Sequence, residues 1–222
     1  MNYSEVHRRS IQDPEGFWGE QAQRIDWHRP PDRVLNDSKL PFVRWFEGGE
    51  TNLCHNAVDR WLPTQAHQPA LIYVSTETGR EETFTFAELS RQVQVMAAVI
   101  QSLGVGKGDR VLIYLPMIPE AAFAMLACAR IGAIHSVVFG GFAAVSLASR
   151  IDDARPKLVI SADAGSRAGK VVPYKALLDE AIGRAAGDAP QVLMVDRGLA
   201  PARQVGGRDH DYAALVARFS DA

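Results

Sequence analysis

Hydrophobic and polar positions follow two regimes along this chain. From Leu71 onward they are regular. Leu71–Val74 and Glu82–Thr85 are short β-rich runs separated by Thr78-Gly79-Arg80, a spacing that predicts a hairpin. Phe86, Leu89, Val93, Met96, Ala97, Ile100 and Leu103 then recur at helical intervals, with Gly104 placed to end the helix. Four apolar runs of strand length follow, Val111–Leu115, His135–Phe139, Lys157–Ser161 and Gln191–Val195. The first three are rich in Val and Ile, as strands buried on both faces are.

Helical patterns of about 119–131, 143–153 and 174–186 lie between these runs, each long enough for a crossover. Strand and helix alternating with short links predict right-handed βαβ units. The expected fold class is therefore α/β, a parallel sheet flanked by helices. The last stretch, 196–222, holds Gly198, Pro201, Gly206 and Gly207 and then a short amphipathic run, Tyr212–Phe219.

Residues 1–69 lack this regularity. They hold all four tryptophans, Trp18, Trp27, Trp45 and Trp61, among many turn residues. They read as an irregular, aromatic-anchored segment that wraps a larger body, with the regular domain running over 70–222.

Composition narrows the function classes. The 222 residues are 47% hydrophobic and 23% charged, which suffices for a sizeable core. A net charge of −2 supplies no long-range field for nucleic acid or an anionic membrane surface. No segment reaches the length of a membrane span, and the charged start has no signal-type apolar region, so a cytoplasmic protein is expected. Cys54 and Cys128 belong to no metal-ligand or CxxC spacing and read as free, buried thiols. No metal site is expected.

Three glycine-containing turns invite a phosphate reading. Gly104-Val105-Gly106-Lys107-Gly108-Asp109 comes after a helix and before a strand, the reverse of a phosphate loop, and reads as a helix stop and turn. Gly140-Gly141 follows a strand and precedes a helix, where ligands gather in open α/β sheets. A tight turn explains this pair equally well. Gly165-Ser166-Arg167-Ala168-Gly169-Lys170 also follows a strand and precedes a helix. Glycines there let amides approach an anion, Arg167 offers a bidentate fork and Lys170 a point charge. The spacing is not that of a Walker loop, and Val171 stands where one would place Ser or Thr. On residues alone, a solvated loop with two ordinary cations is the simpler reading.

Other polar groups point to no catalysis. None of the six histidines accompanies a nucleophile signature such as GxSxG, and His135, opening a strand, reads as a buried core residue. Glu81-Glu82 and Asp152-Asp153 are adjacent pairs whose members point apart.

Four stretches resemble the acetyl-CoA and propionyl-CoA synthetases of the adenylate-forming superfamily. They are Trp45 to Leu53 continuing to Arg60; Thr85 to Leu89 with Gly104 to Val111; Tyr114 to Glu120 with Ala133 to Phe142; and Ser161-Ala162-Asp163 with Arg167-Ala168-Gly169-Lys170. In that family the last tetrad contacts coenzyme A near its phosphate-bearing nucleotide. The resemblance thus implies a CoA-binding role for Arg167, Ala168, Gly169 and Lys170, with Gly140 and Gly141 on the same edge.

It also implies an acid–thiol ligase: acid, ATP and CoA giving acyl-CoA, AMP and pyrophosphate. Members of the family are several times longer and carry further on a Ser/Thr/Gly-rich loop ending in Pro-Lys, an acyl pocket and a mobile domain with a catalytic lysine. None of these is in the 222 residues. The chain is therefore expected to be an amino-terminal portion with no catalytic residues of its own, inactive alone, not binding ATP and Mg. Its expected partners are small molecules, CoA above all, with neither nucleic acid nor membrane. The alternative is a non-catalytic binding or partner module of the same fold.

Overall fold

The computed structural model describes residues 2–140, 143–167 and 169–219. The chain divides into two compact units, residues 1–61 and 62–222.

The first unit is more regular than its sequence suggested. Helices α1 (Tyr3–Gln12) and α2 (Pro14–Ala22) follow each other closely. Asn2 and Glu5 form a reciprocal capping box on α1, and Asp13 with Pro14 starts α2. An Arg9–Glu20 ion pair joins the two. These signals lie outside the apolar periodicity, which is why hydrophobic patterning passed over both helices.

Strands β1 (Arg33–Asn36) and β2 (Arg44–Glu47) pair antiparallel. Trp18 meets Trp45 edge-on at 6.3 Å, and Trp27 lies 5.8 Å from Phe46. Helix α3 (Leu53–Ala57) is capped by Asn52. Asp26 holds His55 at 2.7 Å, a hydrogen bond that keeps the Asp26 carboxyl below its ordinary range. A 3₁₀ turn, Asp59–Trp61, ends the unit.

The second unit opens with a short α4 (Leu62–Gln65) and the expected hairpin, β3 (Pro69–Val74) against β4 (Glu81–Thr85). Helix α5 (Phe86–Ser102) begins at Thr85, whose hydroxyl accepts from the Glu88 amide while the Glu88 side chain accepts from the Thr85 amide. Then come β5 (Arg110–Tyr114), α6 (Pro119–Ile131), β6 (Ile134–Val137), α7 (Ala144–Ala154) and β7 (Leu158–Ala162). A small hairpin follows, β8 (Gly165–Arg167) with β9 (Lys170–Val172), and then α8 (Tyr174–Arg184). Strands β10 (Gln191–Val195) and β11 (Asp209–Asp211) and helix α9 (Tyr212–Phe219) complete it.

Five strands form one all-parallel sheet in the order β11-β10-β7-β5-β6. The α/β fold class and the four expected strands are present. Leu112, Tyr114, Val159, Val192 and Met194 point to one face, where Leu147, Ile151 and Leu178 of α7 and α8 bury them. Helices α6 and α9 lie against the other, and α5 packs on both of them. Each large aliphatic side chain sealed in this way contributes about 1.5–3 kcal/mol.

Three expectations are corrected. The run at His135 is an edge strand, with Ile134 and Val137 more than half exposed and His135 only half-buried, because β5 is its one neighbour in the sheet. The stretch before α8 is the β8–β9 hairpin rather than a plain loop. The turn-rich end contains a fifth parallel strand, β11.

Strand β11 is Asp209-His210-Asp211, with nothing apolar to mark it. Charge holds it instead. Lys175, buried on α8, reaches Asp209 at 3.0 Å and Asp179 at 2.5 Å, and Arg208 pairs with both acids. Burial pushes the Asp209 carboxyl up, but Arg208, the Val205 amide and Lys175 outweigh it, leaving the value below the ordinary aspartate range.

A carboxyl depressed in the folded state binds fewer protons there than in the unfolded chain. Its stabilisation is complete above the ordinary aspartate pKa of about 4 and is lost as pH falls through the folded value. Asp209→Asn is expected to cost about 3 kcal/mol at pH 7, since it leaves buried cations short of a partner. Urea midpoints of wild type and variant should converge as pH is lowered towards 3, and a gap that does not depend on pH would count against this network.

Candidate functional site

Because the sheet is parallel, β5, β6, β7 and β10 all end on one edge, and their following turns gather there. The segments after β5, β6 and β7 border a cleft of about 470 Å³. One wall is the turn Leu115-Pro116-Met117 after β5, and another is Val137 to Gly140 at the end of β6. Ser166, Arg167 and Val172 of the β8–β9 hairpin close it, and Tyr174 at the start of α8 forms part of its wall.

The hairpin holds both candidate cations. Arg167 and Lys170 are register partners at its tip, so their side chains leave the same side of the ribbon, and both are exposed. Gly169, at φ 74°, supplies the left-handed conformation that the tight turn needs. The Arg167 guanidinium lies 5.2 Å from the centre of the Phe139 ring, a cation–π distance that brings the cation to the end of β6. Arg167, Lys170, Gly169 and Gly140 thus share one edge, while Ala168 and Gly141 lie outside the described residues.

Residues that sequence reading passed over hold the hairpin in place. Asp163, only 1% exposed, accepts from the amides of Arg197 at 3.0 Å, Leu199 at 2.7 Å and Ala200 at 3.1 Å. Its own carbonyl accepts from the Lys175 amide at 3.2 Å. Glu77, from the β3–β4 turn, accepts from the Ser166 amide at 3.1 Å and pairs with Arg197 at 2.7 Å. Arg197 also donates to the Ala164 carbonyl. Asp163 lay inside a recognised stretch, but its side-chain partners are more than 30 residues away, and no local spacing reveals them.

Tyr174 sits at the centre of this arrangement. Its ring packs on Tyr114 with centres 4.7 Å apart, and its edge faces Gly165. A side-chain carbon added to Gly140 would fall 1.6 Å from the Tyr174 hydroxyl oxygen. Close approach therefore requires glycine at 140, which gives that position a packing reason. Burial and then Glu77 push the Tyr174 phenol above its ordinary pKa, against Arg197 and Arg167, and burial pushes Tyr114 up to about 12. The cleft thus brings together a guanidinium and a phenol, with an ammonium beside them on the hairpin and the Glu77 carboxylate occupied by Arg197, groups that can donate hydrogen bonds to an anion.

A family model described as AMP-binding enzyme matches residues 58–209, and one described as acetyl-coenzyme A synthetase N-terminus matches residues 3–57. The chain belongs to the AMP-binding enzyme family.

It is 60% identical over 215 residues to a propionate–CoA ligase of Salmonella typhimurium, covering 97% of this chain and 34% of that protein. An acetyl-coenzyme A synthetase of Xanthobacter autotrophicus is 46% identical over 99% of this chain and 34% of its own length. Acetoacetyl-CoA synthetase from Streptomyces lividans superposes with a TM-score of 0.85 at 30% identity, over 98% of this chain and 33% of that one. The chain thus spans about a third of the length of these relatives.

In this AMP-binding enzyme chain, Gly140→Ala is expected to lower stability by about 1–3 kcal/mol, the ordinary cost of overpacking. The Tyr174 ring carbon bearing the hydroxyl would also lie within 2.5 Å of the added carbon, so Tyr174→Phe should not relieve the clash, whereas Tyr174→Leu should. Urea unfolding of the single and double variants checks this. An innocuous Gly140→Ala would mean that the contact is not tight.

Proposed function

We propose that the cleft binds the phosphate-bearing nucleotide of coenzyme A, and that the chain is the CoA-binding part of an acid–CoA ligase whose acid is propionate. The observation that carries this reading is the Arg167–Lys170 pair, set on a braced hairpin beside Phe139 and Gly140 at the carboxyl edge of the sheet. The higher identity to a propionate–CoA ligase than to acetyl-coenzyme A synthetases supports propionate over acetate.

In this reading ATP, Mg and the acid are handled by the part of the relatives that this chain does not span. No Ser/Thr/Gly-rich loop ending in Pro-Lys occurs in the 222 residues. The setting is the cytoplasm; among the described residues no helix is long and apolar enough to cross a membrane.

Arg167→Ala is expected to weaken coenzyme A about tenfold, the loss of one charge-assisted hydrogen bond to phosphate at an exposed position. Binding of dephospho-coenzyme A, which lacks the ribose phosphate, should change little. Protein-detected NMR titrations of the chain measure both. Equal losses for the two ligands would mean that Arg167 does not read that phosphate.

The 222-residue chain should also show no acid-dependent exchange of pyrophosphate into ATP. Exchange above a protein-free blank, in material cleared of host synthetase, would place the adenylating groups within these residues and overturn this division of labour.

A further inference from the structure

The Tyr174 side chain stands out within the cleft because its polar end is unspent. The residue is 6% exposed, and among the described residues its hydroxyl makes no hydrogen bond. The ring is buried, but the oxygen is not sealed from solvent, so in the cleft it can exchange a water for an acceptor on a ligand. The hydroxyls of Tyr114 and Ser161, neighbours in register on β5 and β7, are also unpaired but are sealed in the core. Tyr174 differs in forming part of the cleft wall.

Its orientation is fixed. Tyr114 lies against one side of the ring, and Gly165 and Gly140 approach so closely that neither could carry a side chain without displacing it. The hydroxyl is therefore a preorganised donor that sits at Gly140 and binds at little entropic cost.

The lining around it decides what it meets. Leu115, Pro116, Val137, Phe139 and Val172 make the cleft wall largely apolar; Arg167 stands at its exposed rim with Lys170 beside it in register, and the Glu77 carboxylate, which also lines the cleft, is paired with Arg197. A phosphate gains most at the rim, and a flat ring gains most against the apolar wall. A purine is such a ring, and it carries acceptor nitrogens along its edge.

We propose that Tyr174 is a specificity-determining binding residue, its hydroxyl donating a hydrogen bond to a ring nitrogen of the coenzyme A base while Arg167 and Lys170 hold the phosphate. This rests on the reading of the cleft as a coenzyme A site and adds to it the residue that reads the base.

The test is Tyr174→Phe, which removes only the oxygen and keeps the ring packing. The chain is titrated with coenzyme A, with dephospho-coenzyme A and with 4′-phosphopantetheine, which lacks the nucleoside. The variant should lose about three- to tenfold in affinity for the first two alike, leaving their ratio unchanged, and lose nothing for the third.

Arg167→Ala, in contrast, should collapse that ratio. Unchanged binding of both nucleotide ligands by Tyr174→Phe, alongside a loss in Arg167→Ala, would overturn the role of Tyr174 and leave the coenzyme A site standing. A collapsed ratio in Tyr174→Phe would mean that the phenol only supports the hairpin, and would also overturn it. Failure of the unaltered chain to bind coenzyme A at millimolar concentration would remove both readings together.

Discussion

The buried carboxylate of Asp163 is the constraint on which the cleft depends. It sits just past the end of β7, sealed from water, and a charge in that position is costly unless its oxygens are fully used. Three backbone amides from residues 197, 199 and 200 use them, each a bond to a charged acceptor of about 1.5–3 kcal/mol. The same residue takes the Lys175 amide on its carbonyl and gives its own amide to Val195. One residue thereby ties the end of β10 to β7, through its side chain and its amide, and the start of α8, through its carbonyl, and so places Tyr174.

From that anchor the remaining geometry follows. Arg197 is positioned by Asp163 through its backbone, and its guanidinium then joins Glu77 to the Ala164 carbonyl. Glu77 in turn fixes Ser166. The β8–β9 hairpin is only three residues a side and would not hold its shape alone in water. Braced at Ser166 and drawn towards Phe139 by Arg167, it presents two cations at a defined place. These braces set the hairpin apart from an unsupported surface loop.

The sequence disclosed those parts of the fold that hydrophobic periodicity encodes. Strands β5, β7 and β10 and helices α5 to α8 bury regular apolar faces, and their pattern is readable for that reason. Helices α1 and α2 were invisible to the same reading, since their signals are caps at Asn2 and Asp13. Strand β11 was invisible because charge holds it to α8, through Lys175–Asp209 and Arg208–Asp179, pairs whose members lie more than 20 residues apart. The candidate cations were legible only through resemblance, as Arg and Lys near glycine are common on surfaces. Tyr174 was not legible as a cleft residue, nor Asp163 as the brace behind it, because what gives them meaning is tertiary contact.

The two kinds of contact in the proposed site answer differently to solvent. With a net charge of −2 the protein gathers no anion from a distance, so attraction at Arg167 and Lys170 acts only locally. Those cations are exposed, and at physiological salt the Debye length is about 8 Å, so their share of affinity is readily screened. The Tyr174 hydroxyl and the apolar wall act at contact range and without net charge, so salt affects their share little. A site divided in this way holds its ligand's ring by shape and a fixed donor and uses charge at the rim to choose between a phosphorylated and an unphosphorylated ribose. Specificity for the phosphate then comes from an interaction that contributes modestly to affinity, which is the usual position of exposed ion pairs.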